Sequence, residues 1–242
     1  LGDCGPDKKI LSKLGAELAF FDNTIDYLLA THPDLDHYGG CIDVLKRYKV
    51  KEIITNGKKK EYDPYWRTWD EQMKKENAVL KVIKKPEEWV VGNSSLQFLS
   101  PDASLNLEAK TDDSNNFSIV FKLTRENESF LFTGDMEVPL ETALVGKYCV
   151  ATSSIAVGAW HAMPLQRNDC ILHSDILKVG HHGSDSSTSE EFLGFVQPKK
   201  AIISVGKNKF GHPSLRVIRH LERVGADILR TDLVNDIVLK QL

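Results

Sequence analysis

Residues 31–40 read THPDLDHYGG and directly follow an apolar run, IDYLLA, that has the composition of a strand. His32, Asp34, Asp36 and His37 thereby fall within six positions at a strand-to-helix turn. Imidazole nitrogens and carboxylate oxygens suit a borderline or hard divalent cation. The spacing lets His32 and Asp34 face one point while the adjacent Asp36 and His37 serve a second. This is the layout of a two-metal hydrolytic site, and a chain that carries it must bring a strand end and a helix start to one place.

The chain has 242 residues, 41% of them hydrophobic, enough to bury one sizeable core, so a single α/β domain spanning 1–242 is expected over two small ones. No apolar run approaches the ~18 residues of a membrane span, and no basic-then-apolar opening marks a signal peptide. Cys4, Cys41, Cys149 and Cys170 are scattered with no CxxC pair, which reads as reduced structural thiols. The formal net charge of −3 does not advertise nucleic-acid binding over the whole surface. A local exception is the stretch 58–89, where Lys58, Lys59, Lys60, Lys74, Lys75, Lys84 and Lys85 are interleaved with Tyr62, Tyr65, Trp66 and Trp69. Two readings stand for it: a guide for a nucleic-acid strand, or an amphipathic helix with its aromatics in the core.

A coarse pass gives alternating strands and helices without internal repeats. After Gly40, Cys41, Val44, Leu45 and Tyr48 lie at helical spacing, and EIITNG reads as a short strand. VLKVIKK and SLQFLSP read as strands joined by a turn at Gly92 and Asn93, and FSIVFKLTR and SFLFTGD as a hairpin about ENE. SDSSTSEE has the Ser/Thr-then-Glu pattern of a helix start. From Leu215, the stripe Ile218, Leu221 and Val224 predicts a helix capped by Gly225, after which DILRTD and DIVLKQL read as strands.

HxDxDH followed by GG resembles the HxHxDH signature of the metallo-β-lactamase fold superfamily, in the Asp variant of the ComEC-type soluble domain. FLFTGD ending at Asp135, ILKVGHHGS ending at Ser184, AIISVGKNKFGHP ending at Pro213 and LRTD ending at Asp232 are similar to successive blocks of that type, in order and rough spacing. The resemblance covers nearly the whole chain. It implies a four-layer αββα sandwich with the metals at one edge. The opening LGDCGP is similar to an Asp-x-Gly turn that follows two strands in the family, which leaves open a sandwich without its first strands and makes Asp3 the family's structural Asp near the site. The stretch 145–174, with His161 and His173, is longer than the family pattern and reads as an insertion whose histidines bind no metal.

On this resemblance Asp135 bridges two cations, and His181 completes the second metal's shell beside Asp36 and His37. His182 then serves proton transfer, with His212 of the GHP turn a further candidate for protonating a leaving oxygen or touching a substrate phosphate. His220 is expected to be structural. The superfamily's third histidine for the first metal is missing, because no His lies between His37 and His161; Asn116, in DDSNNFS, is the expected replacement beside His32 and Asp34. Two divalent ions are therefore expected, zinc or manganese, with magnesium a further option for the oxygen-rich first site. Such a pair, about 3.5–4 Å apart, activates water for in-line attack on phosphorus, with Asp36 both binding metal and orienting the attacking oxygen. Lys178 and Ser184 are candidate substrate contacts. The expected function is a metal-dependent phosphodiesterase that degrades DNA, with a membrane channel as a possible partner. A zinc-dependent hydrolase of a β-lactam, lactone or other small ester, and a non-catalytic DNA- or partner-binding domain, are the alternatives.

Overall fold

The computed structural model describes residues 1–105, 107, 114–149 and 170–239. Its first sheet has three parallel strands in the order β1 (Thr24–Leu29), β2 (Lys49–Thr55), β3 (Val79–Val82). Its second sheet has seven: β4 (Glu87–Val91), β5 (Ser94–Ser100), β6 (Val120–Arg125), β7 (Glu128–Phe132), β8 (Ile176–Lys178), β9 (Lys200–Ile203) and β10 (Asp227–Arg230), adjacent in sequence order. The β4 to β7 pairings are antiparallel, and β7 to β10 run parallel.

Three apolar clusters define the layers. Leu28, Ile25, Val50 and Ile53 of the small sheet pack with Tyr38, Val44 and Leu45 of α2 (Leu35–Arg47), Trp69 of α3 (Trp66–Lys75) and Leu14 of α1 (Lys9–Glu17). Leu29, Ile54, Ile83, Phe98, Ile119 and Phe121 fill the space between the sheets. Leu131, Leu177 and Ile203 of the large sheet pack under Leu144 of α4 (Val138–Tyr148), Phe192 of α5 (Glu190–Val196) and Leu221 of α6 (Leu215–Arg223). Strands covered on both faces need apolar side chains in both directions, which is why FLF and AII lack strict alternation. The result is the expected αββα sandwich. A short helix, α7 (Thr231–Val234), follows β10.

The expected hairpin is β6–β7, and the helix starts at Glu190 and Leu215 are capped by the side chains of Ser189 and Ser214. Three expectations need correction. The turn at Gly92 joins β4 to β5, whereas β3 belongs to the other sheet; EEWVV, with its charged start, gave little strand signal. Residues 236–239 of DIVLKQL form no strand. The cysteines are paired rather than free, Cys4 with Cys41 and Cys149 with Cys170, at Cα separations of 5.2 and 4.3 Å. Scattered sequence positions conceal that residues 4–7 lie across α2, where a Cβ on Gly40 would come within 2.3 Å of the Cys4 carbonyl oxygen. Of the 145–174 stretch, residues 150–169, including His161, lie outside the described residues; His173 bonds the Val196 carbonyl through Nδ1 at 3.0 Å.

Candidate metal centre

Parallel strands aim their carboxyl ends at one edge of the sandwich, and side chains just beyond β1, β7 and β8 meet there. Asp36 and His37 occupy the first turn of α2. Asp135 follows β7 through Gly134, whose φ of +54° and close approach to Ser118, 2.7 Å from where a Cβ would stand, exclude a side chain; the Ser118 hydroxyl accepts from the Asp135 N–H at 3.0 Å. His181 and His182 follow β8 in a tight turn, both with positive φ (44° and 53°), a strained backbone of the kind found where a site over-determines it.

One ligand atom from each of Asp36, His37, Asp135 and His182 lies within 4.8 Å of the other three. Asp135 Oδ2 is 3.2 Å from both His37 Nε2 and His182 Nε2, and Asp36 Oδ2 is 3.2 Å from His182 Nε2. The ring orientations are set from behind. His182 Nδ1 donates to the Ser204 carbonyl at 2.6 Å, and His37 Nδ1 donates to Asp3 Oδ2 at 2.8 Å. With Nδ1 held in a hydrogen bond, Nε2 is the atom that would give up its proton to present a lone pair to a cation, as ligating histidines do. Among the described residues, the buried atoms His32 Nε2, His37 Nε2 and Asp135 Oδ1 find no hydrogen-bond partner, an arrangement costly for polar atoms unless a cation takes them up. The residues therefore fit a divalent ion.

Electrostatics agree. Burial works against the His37 imidazolium, yet Asp3 and Asp135 outweigh it and hold its pKa well above the usual histidine range. Against the same burial, hydrogen bonds to Asp135 and Asp36 push His182 up to about 9, while Asp36 falls to about 2 and Asp135 lies well below the usual carboxylate range. The carboxylates thus stay ionised and demand positive charge. His32, buried and beside His37, is lowered to about 4 and is neutral.

The remaining expected site residues are placed as follows. His181 is turned away from the centre, with Nδ1 3.0 Å from Glu137 Oε1 and 3.2 Å from Ser186 Oγ, so the cluster of ligand atoms contains His182 in place of the expected His181. Alternation alone cannot say which of two adjacent residues in a left-handed turn faces inward. Asp34 is drawn off by Lys60 and Ser114, and Asn116 Oδ1 accepts from the Glu137 N–H at 3.2 Å. Lys178 Nζ donates to the Gly134 carbonyl at 2.9 Å and stands 3.8 Å from Asp135 Oδ1. Ser184 shares a hydrogen bond with Ser186 within its own turn. The His212 ring lies 5.7 Å from that of His181, and His220 Nδ1 bonds the Thr188 carbonyl at 3.0 Å. Trp66 and Trp69 are buried against Tyr38, whereas Tyr62 and Tyr65 are exposed. Sequence reasoning missed Glu137 and Lys60; Lys60 was visible only as one of a run of lysines.

The profile of the metallo-β-lactamase superfamily matches residues 3–207. The chain belongs to that superfamily. Among curated proteins it is similar to ComE operon protein 3 of Bacillus subtilis (strain 168), 32% identical over 209 residues, which are 86% of this chain and 24% of that protein. It is also 32% identical to competence protein ComA of Neisseria gonorrhoeae over 148 residues, 61% of this chain and 18% of ComA. Recombination protein 2 of Haemophilus influenzae (strain ATCC 51907 / DSM 11121 / KW20 / Rd) is 29% identical over 211 residues, 86% of this chain and 21% of that protein. These are ComEC-type competence proteins, and the chain spans about a quarter or less of the length of each. Among solved structures, the diiron β-hydroxylase CmlA from Streptomyces venezuelae superposes with a TM-score of 0.53 at 14% identity, covering 90% of this chain and 45% of CmlA. Zn(2+)-bound PqqB from Methylobacterium extorquens superposes with a TM-score of 0.50 at 10% identity, covering 93% and 80%. Both share the superfamily's fold, a scaffold of metal-dependent hydrolases. No helix among the described residues is long and apolar enough to cross a membrane.

Proposed function

We propose that this chain is a metal-dependent phosphodiesterase that cuts DNA. The carrying observation is where the four-residue centre sits: Asp36, His37 and His182 form part of the wall of a cavity of about 1090 Å³, which also presents Lys9, Lys178, Lys207, His212 and Phe210. That volume lies just above the ~300–1,000 Å³ of small-molecule sites, and its lysines suit a phosphodiester better than a β-lactam or neutral ester. Phe210, 72% exposed, offers a ring face on which a base can stack. The names of the relatives, competence and recombination proteins, support DNA as the polymer handled.

Asp36, His37, Asp135 and His182 would hold a divalent ion, zinc or manganese, which supplies Lewis-acid activation of water and of a phosphoryl oxygen. Asp36, half exposed, keeps an edge open to solvent from which it can orient the attacking water. Lys178 neutralises Asp135 and fixes the turn at Gly134, so its contribution is to hold the centre. His212 has its pKa lowered by burial and by the neighbouring His181 and His182, so at neutral pH it offers an N–H to a phosphate oxygen in place of a transferable proton. A place in DNA uptake beside a membrane channel completes this reading.

The test is cleavage of end-labelled single-stranded DNA by metal-stripped protein resupplied with manganese, zinc or magnesium, beside Asp36→Ala. Metal-dependent cleavage that falls at least about a hundredfold in the variant is expected. Intact DNA with every metal would overturn the proposal; turnover of a β-lactam or lactone in the same preparation would then point to a small-ester hydrolase, and DNA retention without turnover to a binding domain.

A further inference from the structure

The residues expected to hold a first metal are engaged elsewhere. Asp34 Oδ1 accepts from Lys60 Nζ at 2.8 Å and from Ser114 Oγ at 2.6 Å, while the amide oxygen of Asn116 accepts from the Glu137 N–H. Of the trio His32, Asp34 and Asn116, His32 alone presents a buried ligand atom that finds no hydrogen-bond partner among the described residues. The Lys60 and Asp34 side chains are 20% and 25% exposed, so the pair is mostly withdrawn from water, where opposite charges are less screened. The loop that precedes the lysine is anchored as well. Asn56 donates through Nδ2 to the Phe117 carbonyl at 2.9 Å and accepts through Oδ1 from the Lys58 N–H at 3.0 Å. Lys58 Nζ lies 3.9 Å from the Phe117 ring centroid. These contacts tie residues 56–58 to the turn that carries Asn116. A divalent ion on Asp34 would have to expel the ammonium or stand beside it against like-charge repulsion.

We propose that the Lys60 ammonium occupies the role of a first divalent cation, so that this chain holds one tightly bound metal, at Asp36, His37, Asp135 and His182, with Asp34 neutralised by lysine. This inference rests on the superfamily's metal site and is independent of whether DNA is the substrate.

Counting metal on the folded protein tests it without any activity assay. Metal-stripped chain is titrated calorimetrically with manganese and separately with zinc, and the ion content after gel filtration is read by mass spectrometry. One ion per chain is expected for the wild type and for Lys60→Arg, rising to two in Lys60→Met, where Asp34 is freed. Asp34→Asn, in which the carboxylate is lost but the four-residue centre is not, should still bind one ion with affinity within about threefold of wild type. Two tightly bound ions in the wild type, loss of an ion in Asp34→Asn, or a count that stays at one in a folded Lys60→Met would each overturn it. The wild-type count and Asp34→Asn decide the question even where Lys60→Met fails to fold.

Discussion

Asp3 lies behind the metal centre, yet three groups of the site depend on it. Its Oδ1 accepts from the Thr31 N–H at 2.8 Å, and its Oδ2 accepts from the Thr31 hydroxyl at 2.9 Å and from His37 Nδ1 at 2.8 Å. Removing the carboxylate leaves His37 free to change tautomer and rotate. Asp3→Ala should therefore weaken metal binding by about 10- to 100-fold with the fold retained, as read by competition against a chromophoric chelator. Unchanged affinity would mean that packing alone orients the ring. Asp36, His37 and Asp135 were legible as candidates because they stand in polar turns that follow apolar runs, where strand ends expose side chains, whereas Asp3 was legible only through the family resemblance of LGDCGP. The choice between His181 and His182 was not legible, since it depends on two consecutive left-handed residues that no hydrophobic period encodes. Nor was Lys60, which reaches Asp34 across 26 positions and is indistinguishable by composition from its neighbours Lys58 and Lys59.

At the scale of elements, side chains at the ends of β7 and β8 decide how those strands are joined. Asp175, just before β8, accepts from the N–H of Ser129 at 2.9 Å and from its hydroxyl at 2.8 Å, and pairs with Lys199 at 2.8 Å. Against partial burial, the bonds from Lys199 and Ser129 lower its pKa to about 2. A carboxylate depressed in the folded state stabilises above its unfolded pKa of about 3.9 and loses that contribution as pH falls toward 2. Asp175→Asn should cost about 1 kcal/mol at pH 7, after allowance for solvent screening, and almost nothing at pH 2; urea unfolding at the two values checks the sign. A second joint, Cys4–Cys41, closes a separation of 37 residues and ties the opening segment to α2. Replacing both cysteines by serine should lower stability by about 4 kcal/mol, on the chain-entropy account of cross-linking, measured by denaturant unfolding without reductant. A loss near zero would mean that the paired thiols do not form a bond in solution. Sequence distance hid this joint, just as the charged start of EEWVV hid β4.

Across the whole molecule, the centre draws on both sheets: Asp36 and His37 come from the helix after β1, Asp135 and His182 from the turns after β7 and β8. A cation bound there adds its binding free energy to the folded state. Manganese or zinc at a hundredfold excess over its dissociation constant should contribute about 2.7 kcal/mol and raise the melting temperature by about 5–10 °C in calorimetry. Absence of any shift with either ion would remove the four-residue centre from consideration. The αββα layering was readable through the superfamily resemblance, with which the alternating apolar strands and helix stripes agree, whereas the register between the sheets is carried by Leu29, Ile83, Phe98 and Ile119, whose packing leaves no motif.

Those inter-sheet residues supply no metal-binding atom, but they set how the two halves of the centre line up. A metal bound there would therefore act as a gauge of alignment between two independently built walls. Sequence drift in that hidden seam would be felt first as a poorer grip on the ion and only afterwards as a loss of shape, so chemistry in this chain can decay while its silhouette persists.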